Sequence, residues 1–468
     1  MCTLVANGTV VTATDILQAD ILIEKGRIAA IGEGISRTAV GKIIDARDCY
    51  VMPGAIDVHT HLNLQVGDEQ VSDGFYAGSV AAAYGGTTSI VEHPGFGPVG
   101  CRLNHQTDLY RELAKDEMVI DYGLHGVVQH VDDSVLTGVK ELNAAGIASI
   151  KVYLTYGGRL GDKEIIQVLK ATHAAGGLTA FHAENHAIID ELTQQIRKNG
   201  DITNPASHPE SRPDYSEAEA IYRLIALSRA AGNAPLYIVH LSTALGLEVI
   251  REARKQGVEV FAETCPQYLA LTESCYQEDN DRGLQYIMSP PLRRQQDCDA
   301  LWEGLADGTI DVLATDHCSF SLAQKLSLGK EDIFRSPGGI PGVESRVPLL
   351  FSEGVLKGRI DLNRFVQLVS TNPARIMGLA PQKGSIAVGM DADLMILDPT
   401  EERIVSTKNL HQQVDYTPFA GMQVRGWPKT VLLRGKVLIH DGKFLGSKGS
   451  GQYIERKCNN SERAINSP

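Results

Sequence analysis

No apolar stretch of the 468-residue chain approaches the ~18 residues a helix needs to cross a bilayer, so no membrane span is expected. No Lys/Arg-rich run occurs, and the net charge of −13 argues against nucleic acid and anionic membranes as partners. The eight cysteines form no CxxC pair, which removes a zinc knuckle, and their spacing suggests no disulfide framework. Reduced thiols in a cytoplasm are the expectation. The first residues lack a basic stretch followed by a long apolar one, so no secretory leader is expected. No P-loop follows any strand-like run, which weighs against a P-loop nucleotide-binding sheet.

What is present is ordinary globular composition, 43% hydrophobic and 22% charged, arranged in three zones. Residues 1–52 hold short alternating segments (Leu4–Thr12, Ala19–Glu24, Arg27–Gly32) punctuated by Asn7-Gly8 and Lys25-Gly26. Residues 380–446 have the same character, with Ala392–Leu397, Thr430–Arg434 and Lys436–His440 as strand-like runs. Two β-rich ends around a different middle predict that the termini pair into one small β-domain. Residues 447–468 are polar and predict a loosely ordered tail.

The middle, 53–379, alternates apolar runs with amphipathic stretches. Eight runs read as strands: Val51–His59, Thr87–Glu92, Ile120–Val128, Ser149–Leu154, Leu178–His182, Leu236–Leu241, Val258–Glu263 and Asp311–Asp316. Lys163–Ala175, Glu217–Ala231, Ala244–Gln256 and Gln296–Ala306 read as helices between them. Strands alternating with such helices imply parallel βαβ units. Eight of them imply an α/β fold of the (β/α)8 TIM-barrel type, with a doubly wound sheet as the alternative.

A closed barrel carries its chemistry at the C-terminal ends of its strands. Those ends hold His59 and His61, Lys151, His182, His240 and Asp316. Any one of these histidines is more simply a hydrogen-bonded structural residue. Lysine within an apolar strand is harder to dismiss: an unpaired buried ammonium is costly, so it must be paired, neutralised or chemically altered. Asp316 poses the same problem with opposite sign. One metal site explains all six together, since imidazole nitrogen and carboxylate oxygen suit ions such as Zn²⁺. Two ions about 3.5–4 Å apart can activate water and polarise a carbonyl, and they need a bridging anion. Lys151 becomes one if it reacts with CO₂ to form a carbamate.

With these residues in place the sequence resembles the cyclic amidohydrolases, in the hydantoinase/dihydropyrimidinase branch. The resemblance runs through Pro53-Gly54-Ala55-Ile56-Asp57-Val58-His59-Thr60-His61, Lys151-Val152-Tyr153, His182-Ala183-Glu184-Asn185, Val239-His240-Leu241-Ser242 and Ala314-Thr315-Asp316-His317. It continues in Glu263-Thr264-Cys265-Pro266-Gln267-Tyr268, Ser289-Pro290-Pro291-Leu292-Arg293 and Pro341-Gly342-Val343-Glu344. It implies a metal-dependent barrel with a β-sandwich built from both chain ends, matching the three zones.

The resemblance also implies roles. His59 and His61 would bind the more buried ion and His182 and His240 the more exposed one, with carboxylated Lys151 bridging. Asp316 would ligate the buried ion and act as general base. Tyr156 matches a tyrosine that stabilises the tetrahedral oxyanion, Ser289 a position that holds the substrate amide, and Gly338 stands where the family often has asparagine in Pro-Asn-Gly. Asn63 stands where dihydroorotases, which resemble this family, have an arginine for a substrate carboxylate, which argues against dihydroorotate. Gly95–Leu103 and Asp121–Gly126 are most similar to bacterial phenylhydantoinases. The expectation is therefore D-selective opening of 5-substituted hydantoins to N-carbamoyl amino acids, with dihydropyrimidinase activity as the alternative. An allantoinase-like hydrolase shares the metal site but fits the surrounding motifs less well, and a non-catalytic scaffold would have lost ligands that are all present here. Zinc is the family's usual metal, manganese and cobalt suit the same ligands, and the family's usual assembly is a homotetramer.

Overall fold

The computed structural model describes residues 2–38, 40–278, 282–380 and 382–457. The middle of the chain forms a ring of parallel strands: Ala55–Thr60, Thr87–Glu92, Asp121–Leu124 with Gly126–Val127, Ser149–Tyr153, Leu178–His182, Leu236–Ile238, Val260–Thr264 and Val312–Leu313. Neighbours pair in sequence order, and a parallel bridge between Thr60 and His317 brings the last strand beside the first. All residues of Ala55–Thr60, Thr87–Glu92, Leu178–His182 and Val260–Thr264 are buried, as expected of strands covered on both faces. This is the (β/α)8 barrel that the alternation of strands and helices predicts.

The helices begin where local chemistry tells them to. Asn185, just after the fifth strand, accepts from Ala187 N and Ile188 N at the start of His186–Asn199. Thr243, just after the sixth, accepts from Gly246 N at the start of Ala244–Lys255. Each cap contributes about 1 kcal/mol and ends the strand-to-helix loop within a few residues of a site histidine. The third strand is interrupted at His125, whose ring is fully buried between Ser149 Oγ (2.6 Å) and Val58 O (3.0 Å).

Both chain ends contribute to one nine-stranded sheet. Its seam is the antiparallel pairing of Leu394–Ile404 with Tyr50–Pro53, Met395 facing Met52. Val5, Ile21, Val51, Leu394, Ile396 and Leu432 pack as its core.

Two expectations need correction. The run Val51–His59 is not one strand: Tyr50–Pro53 belongs to the terminal sheet and Ala55–Thr60 to the barrel. The chain passes between them at Gly54, where a Cβ would lie 2.2 Å from Oγ1 of Thr88. Nor are residues 447–457 of the tail loose. Gln452 and Ile454 exchange backbone hydrogen bonds with Tyr122 on the third barrel strand (2.9 and 2.8 Å). Arg456 is completely buried and donates to the carbonyls of Leu124 and Met377 and to Ser149 Oγ. A guanidinium gives five donors in a rigid fork, enough to satisfy strand-end carbonyls that polar composition alone did not reveal. Residues 458–468 lie outside the described residues.

Candidate metal centre

The strand ends meet in a cavity of about 870 Å³. His59, His61, Lys151, His182, His240, Asp316, Tyr156, Ser289 and Gly338 all line it, so every site residue expected from sequence is brought to one place. His59, His61 and Asp316 place ligand atoms within 4.8 Å of one another. His59 Nε2 and His61 Nε2 lie 3.1 and 3.2 Å from the same carboxylate oxygen, Asp316 Oδ1. Across the floor, His182 Nδ1 and His240 Nε2 are 2.9 Å apart.

The hydrogen bonds behind these rings decide which nitrogens face the cavity. His59 Nδ1 is 2.7 Å from Glu263 Oε1 and His182 Nε2 is 2.7 Å from Glu184 Oε2. A carboxylate partner draws the ring proton to its side. That leaves the His59 Nε2 lone pair aimed at a carboxylate oxygen, an arrangement of two acceptors that needs a cation or a second proton between them. His240 Nδ1 is buried without a hydrogen-bond partner. Imidazole nitrogens and a carboxylate oxygen around uncompensated lone pairs fit a divalent ion of the zinc kind.

The electrostatics of the bare chain agree. Burial disfavours an imidazolium at His59, yet Asp316 and Glu263 outweigh burial and hold its pKa up at about 9. Burial likewise opposes the Asp316 carboxylate, and His59 and His61 keep it well below the usual range. The negative potential is concentrated where a cation would sit. Lys151, at 1% exposure, goes the other way: burial lowers its pKa to about 8 against the pull of Asp316 and Glu263. As an ammonium it adds positive charge to a cation site and does not fit; converted to an anion, it does.

Backbone geometry holds two of these residues in a region that side chains rarely adopt, with φ of +40° at His240 and +53° at Asp316. Such strain persists only where the surroundings enforce it. Here His240 N donates to Glu263 Oε1 (3.1 Å) and Asp316 N to His59 O (2.9 Å). Glu263 therefore serves His59 and His240 at once, and it also accepts from Tyr237 Oη at 2.8 Å.

Above this floor the cavity has an aromatic side. Phe96 meets Tyr153 edge-on with centroids 5.1 Å apart, and the Tyr156 ring lies 5.1 Å from that of His182. Tyr156, itself at φ +70°, keeps 38% of its surface open to the cleft. Its hydroxyl is set deep beside Ser289, and burial pushes its pKa up to about 12. The Arg212 guanidinium lies 5.7 Å from the same ring and pairs with Glu184 at 2.5 Å.

Sequence reasoning assigned no role to Glu263, Glu184, Arg212 or Phe96. Glu263 ends an apolar run, which is the signal that singled out Asp316, so it was within reach. Arg212 follows the short helix Ser207–Ser211, far in sequence from any barrel strand, and nothing local marks it.

A model of the amidohydrolase family matches residues 50–438. The chain is 48% identical to D-phenylhydantoinase of Escherichia coli O9:H4 (strain HS), over 98% of each chain. Among solved structures, dihydropyrimidinase from Brevibacillus agri NCHU1002 superposes with a TM-score of 0.96 at 41% identity, covering 98% of this chain and 99% of the other. A D-hydantoinase does so with a TM-score of 0.95 at 42% identity, covering 97% and 99%. The chain belongs to the amidohydrolase family, in its hydantoinase/dihydropyrimidinase branch.

Proposed function

We propose that this protein opens 5-substituted hydantoin rings to N-carbamoyl amino acids with D selectivity. One observation carries the reading: nine residues expected for that chemistry line a single cavity. His59, His61 and Asp316 would hold one divalent ion and His182 and His240 a second, with Lys151 as a carbamate between them. Bound there, the ions supply Lewis acidity that activates water and polarises the ring carbonyl. We take zinc as the metal, with manganese or cobalt as alternatives for the same ligands.

The chain's own residues do the rest. The Lys151 ammonium loses one proton to become the neutral amine, which adds to CO₂ and releases a second, so a buried cation is exchanged for an anion. Its lowered pKa of about 8 supplies the neutral amine. Asp316 takes the proton of the attacking water and delivers it to the ring nitrogen as the C–N bond breaks. Tyr156 stays protonated at neutral pH and donates to the oxyanion that develops on the carbonyl. Ser289 and the Gly338 backbone hold the ring amide, and Phe96 and Tyr153 offer an aryl substituent a flat apolar wall.

Dihydrouracil opening is the second reading, supported by the 0.96 TM-score with a dihydropyrimidinase. It uses the same floor and differs only at the cavity walls. We further propose a homotetramer working in the cytoplasm, in keeping with the family's usual assembly and the free state of Cys2, Cys49, Cys101, Cys265, Cys275, Cys298 and Cys318. Ring opening of D- and L-5-phenylhydantoin and of dihydrouracil, measured side by side on metal-loaded protein, tests the assignment. Faster turnover of the D-aryl ring than of the other two supports it; a preference for dihydrouracil favours the second reading.

A further inference from the structure

The helix Leu322–Gly329 carries a second buried lysine, and nothing in the chemistry above uses it. Lys325 is completely buried. Its Nζ donates to two backbone carbonyls, Ile287 O at 2.6 Å and Pro337 O at 3.1 Å. No carboxylate among the described residues acts on it. Burial pushes its pKa down to about 7, and Cys318 is the single group working the other way. A buried ammonium without an acid is expensive. What it holds is therefore informative.

The two carbonyls belong to the two backbone segments that bracket the substrate side of the cavity. Ile287, Met288 and Ser289 line it from one segment; Ser336, Pro337, Gly338 and Gly339 line it from the other. Between them Gly339 N donates to the same Ile287 carbonyl at 3.0 Å. The second segment is intrinsically loose, because Gly338 and Gly339 are adjacent and glycine loses more conformational freedom on ordering than any other residue. Gly339 sits at φ +141°, and a Cβ there would lie 2.6 Å from Cys318. Side-chain packing therefore cannot stiffen that position. A three-donor ammonium bridging the segments can.

We propose that Lys325 is a positioning residue for the ring amide: it staples the Ser289 segment to the Gly338-Gly339 segment and so presets the spacing between them. The inference rests on the amide-binding role given above to Ser289 and Gly338. Two measurements separate its failure from failure of that role.

The first needs no substrate. In the wild-type holoenzyme, amide hydrogen exchange across residues 336–340 should be slow, comparable to peptides from the barrel strands, in spite of the paired glycines. Rapid exchange there overturns the staple. Lys325→Met, of similar length without donors, should speed exchange in that segment and leave the barrel strands unchanged. The second measurement uses whichever ring the wild type opens. Lys325→Met should raise KM about 5- to 10-fold with kcat within about twofold, the pattern of lost ground-state positioning. Lys325→Gln keeps a donor and should recover part of the KM, and it also serves if the Met variant folds poorly. A staple confirmed by exchange with KM unchanged would mean that Ser289 and Gly338 do not bind the ring. A fall in kcat with KM and exchange unchanged contradicts the positioning role.

Discussion

Glu263 Oε1 lies 2.7 Å from Nδ1 of His59 and 3.1 Å from the backbone nitrogen of His240, so one buried carboxylate orients residues on both sides of the candidate metal centre. It commits His59 to present Nε2 to the cavity and holds His240 in its left-handed backbone conformation. Replacing Glu263 with glutamine keeps the size and removes the charge that pulls the ring proton away from the site. Glu263→Gln should weaken metal affinity about 10- to 100-fold. Competition with a chelator of known affinity reads this directly, and an unchanged affinity would show that His59 needs no orienting partner.

In the proposed mechanism Tyr156 acts only when charge develops. Its phenol contributes little to a neutral ring carbonyl and more to an oxyanion. Tyr156→Phe should therefore lower kcat about 10²-fold with a smaller effect on KM, measured by steady-state kinetics at saturating metal. Equal losses in both parameters would make it a binding residue instead.

The Glu184 side chain has a stability signature. Burial alone would raise its pKa, but Arg212 and His182 outweigh burial and depress it from 4.5 to about 2 in the metal-free chain. A depressed acid contributes stability that is present above its unfolded pKa and lost as pH falls toward the folded value. The Tm difference between metal-free wild type and Glu184→Gln should therefore be constant above about pH 5. It should shrink steadily below that. Thermal melts across the acid range check the sign, and a difference that grows on acidification would contradict it.

Phe96 stands at the aromatic wall, 5.1 Å from Tyr153. Phe96→Ala should cost D-5-phenylhydantoin about tenfold in kcat/KM, the value of roughly 1.4 kcal/mol of lost aryl contact. Dihydrouracil, which has no aryl group, should change by less than about twofold. Equal losses for both rings would place the aryl group elsewhere.

The barrel was legible because its strands and helices obey local rules. The predicted helix Ala244–Gln256 is observed as Ala244–Lys255, and Gln296–Ala306 as Gln295–Asp307. His59, His61, Lys151 and Asp316 were legible for a different reason: charged or ligating residues interrupt apolar strands where burial would penalise them. What escaped are contacts between distant segments. Arg212 reaches Glu184 from a loop, Arg456 enters the barrel end from the tail, and Lys325 works through backbone carbonyls that carry no sequence signal. The split at Gly54 escaped because an apolar run looks the same whether it feeds one sheet or two.

The most direct test of the central claim is ring opening of D-5-phenylhydantoin, followed while metal-stripped protein is titrated with zinc in the presence of bicarbonate. Activity should rise until about two ions are bound per chain, with Lys151 heavier by CO₂ in the native mass and Asp316→Asn inactive at full metal occupancy. Full activity in the stripped protein, or undiminished turnover by Asp316→Asn, would contradict the account.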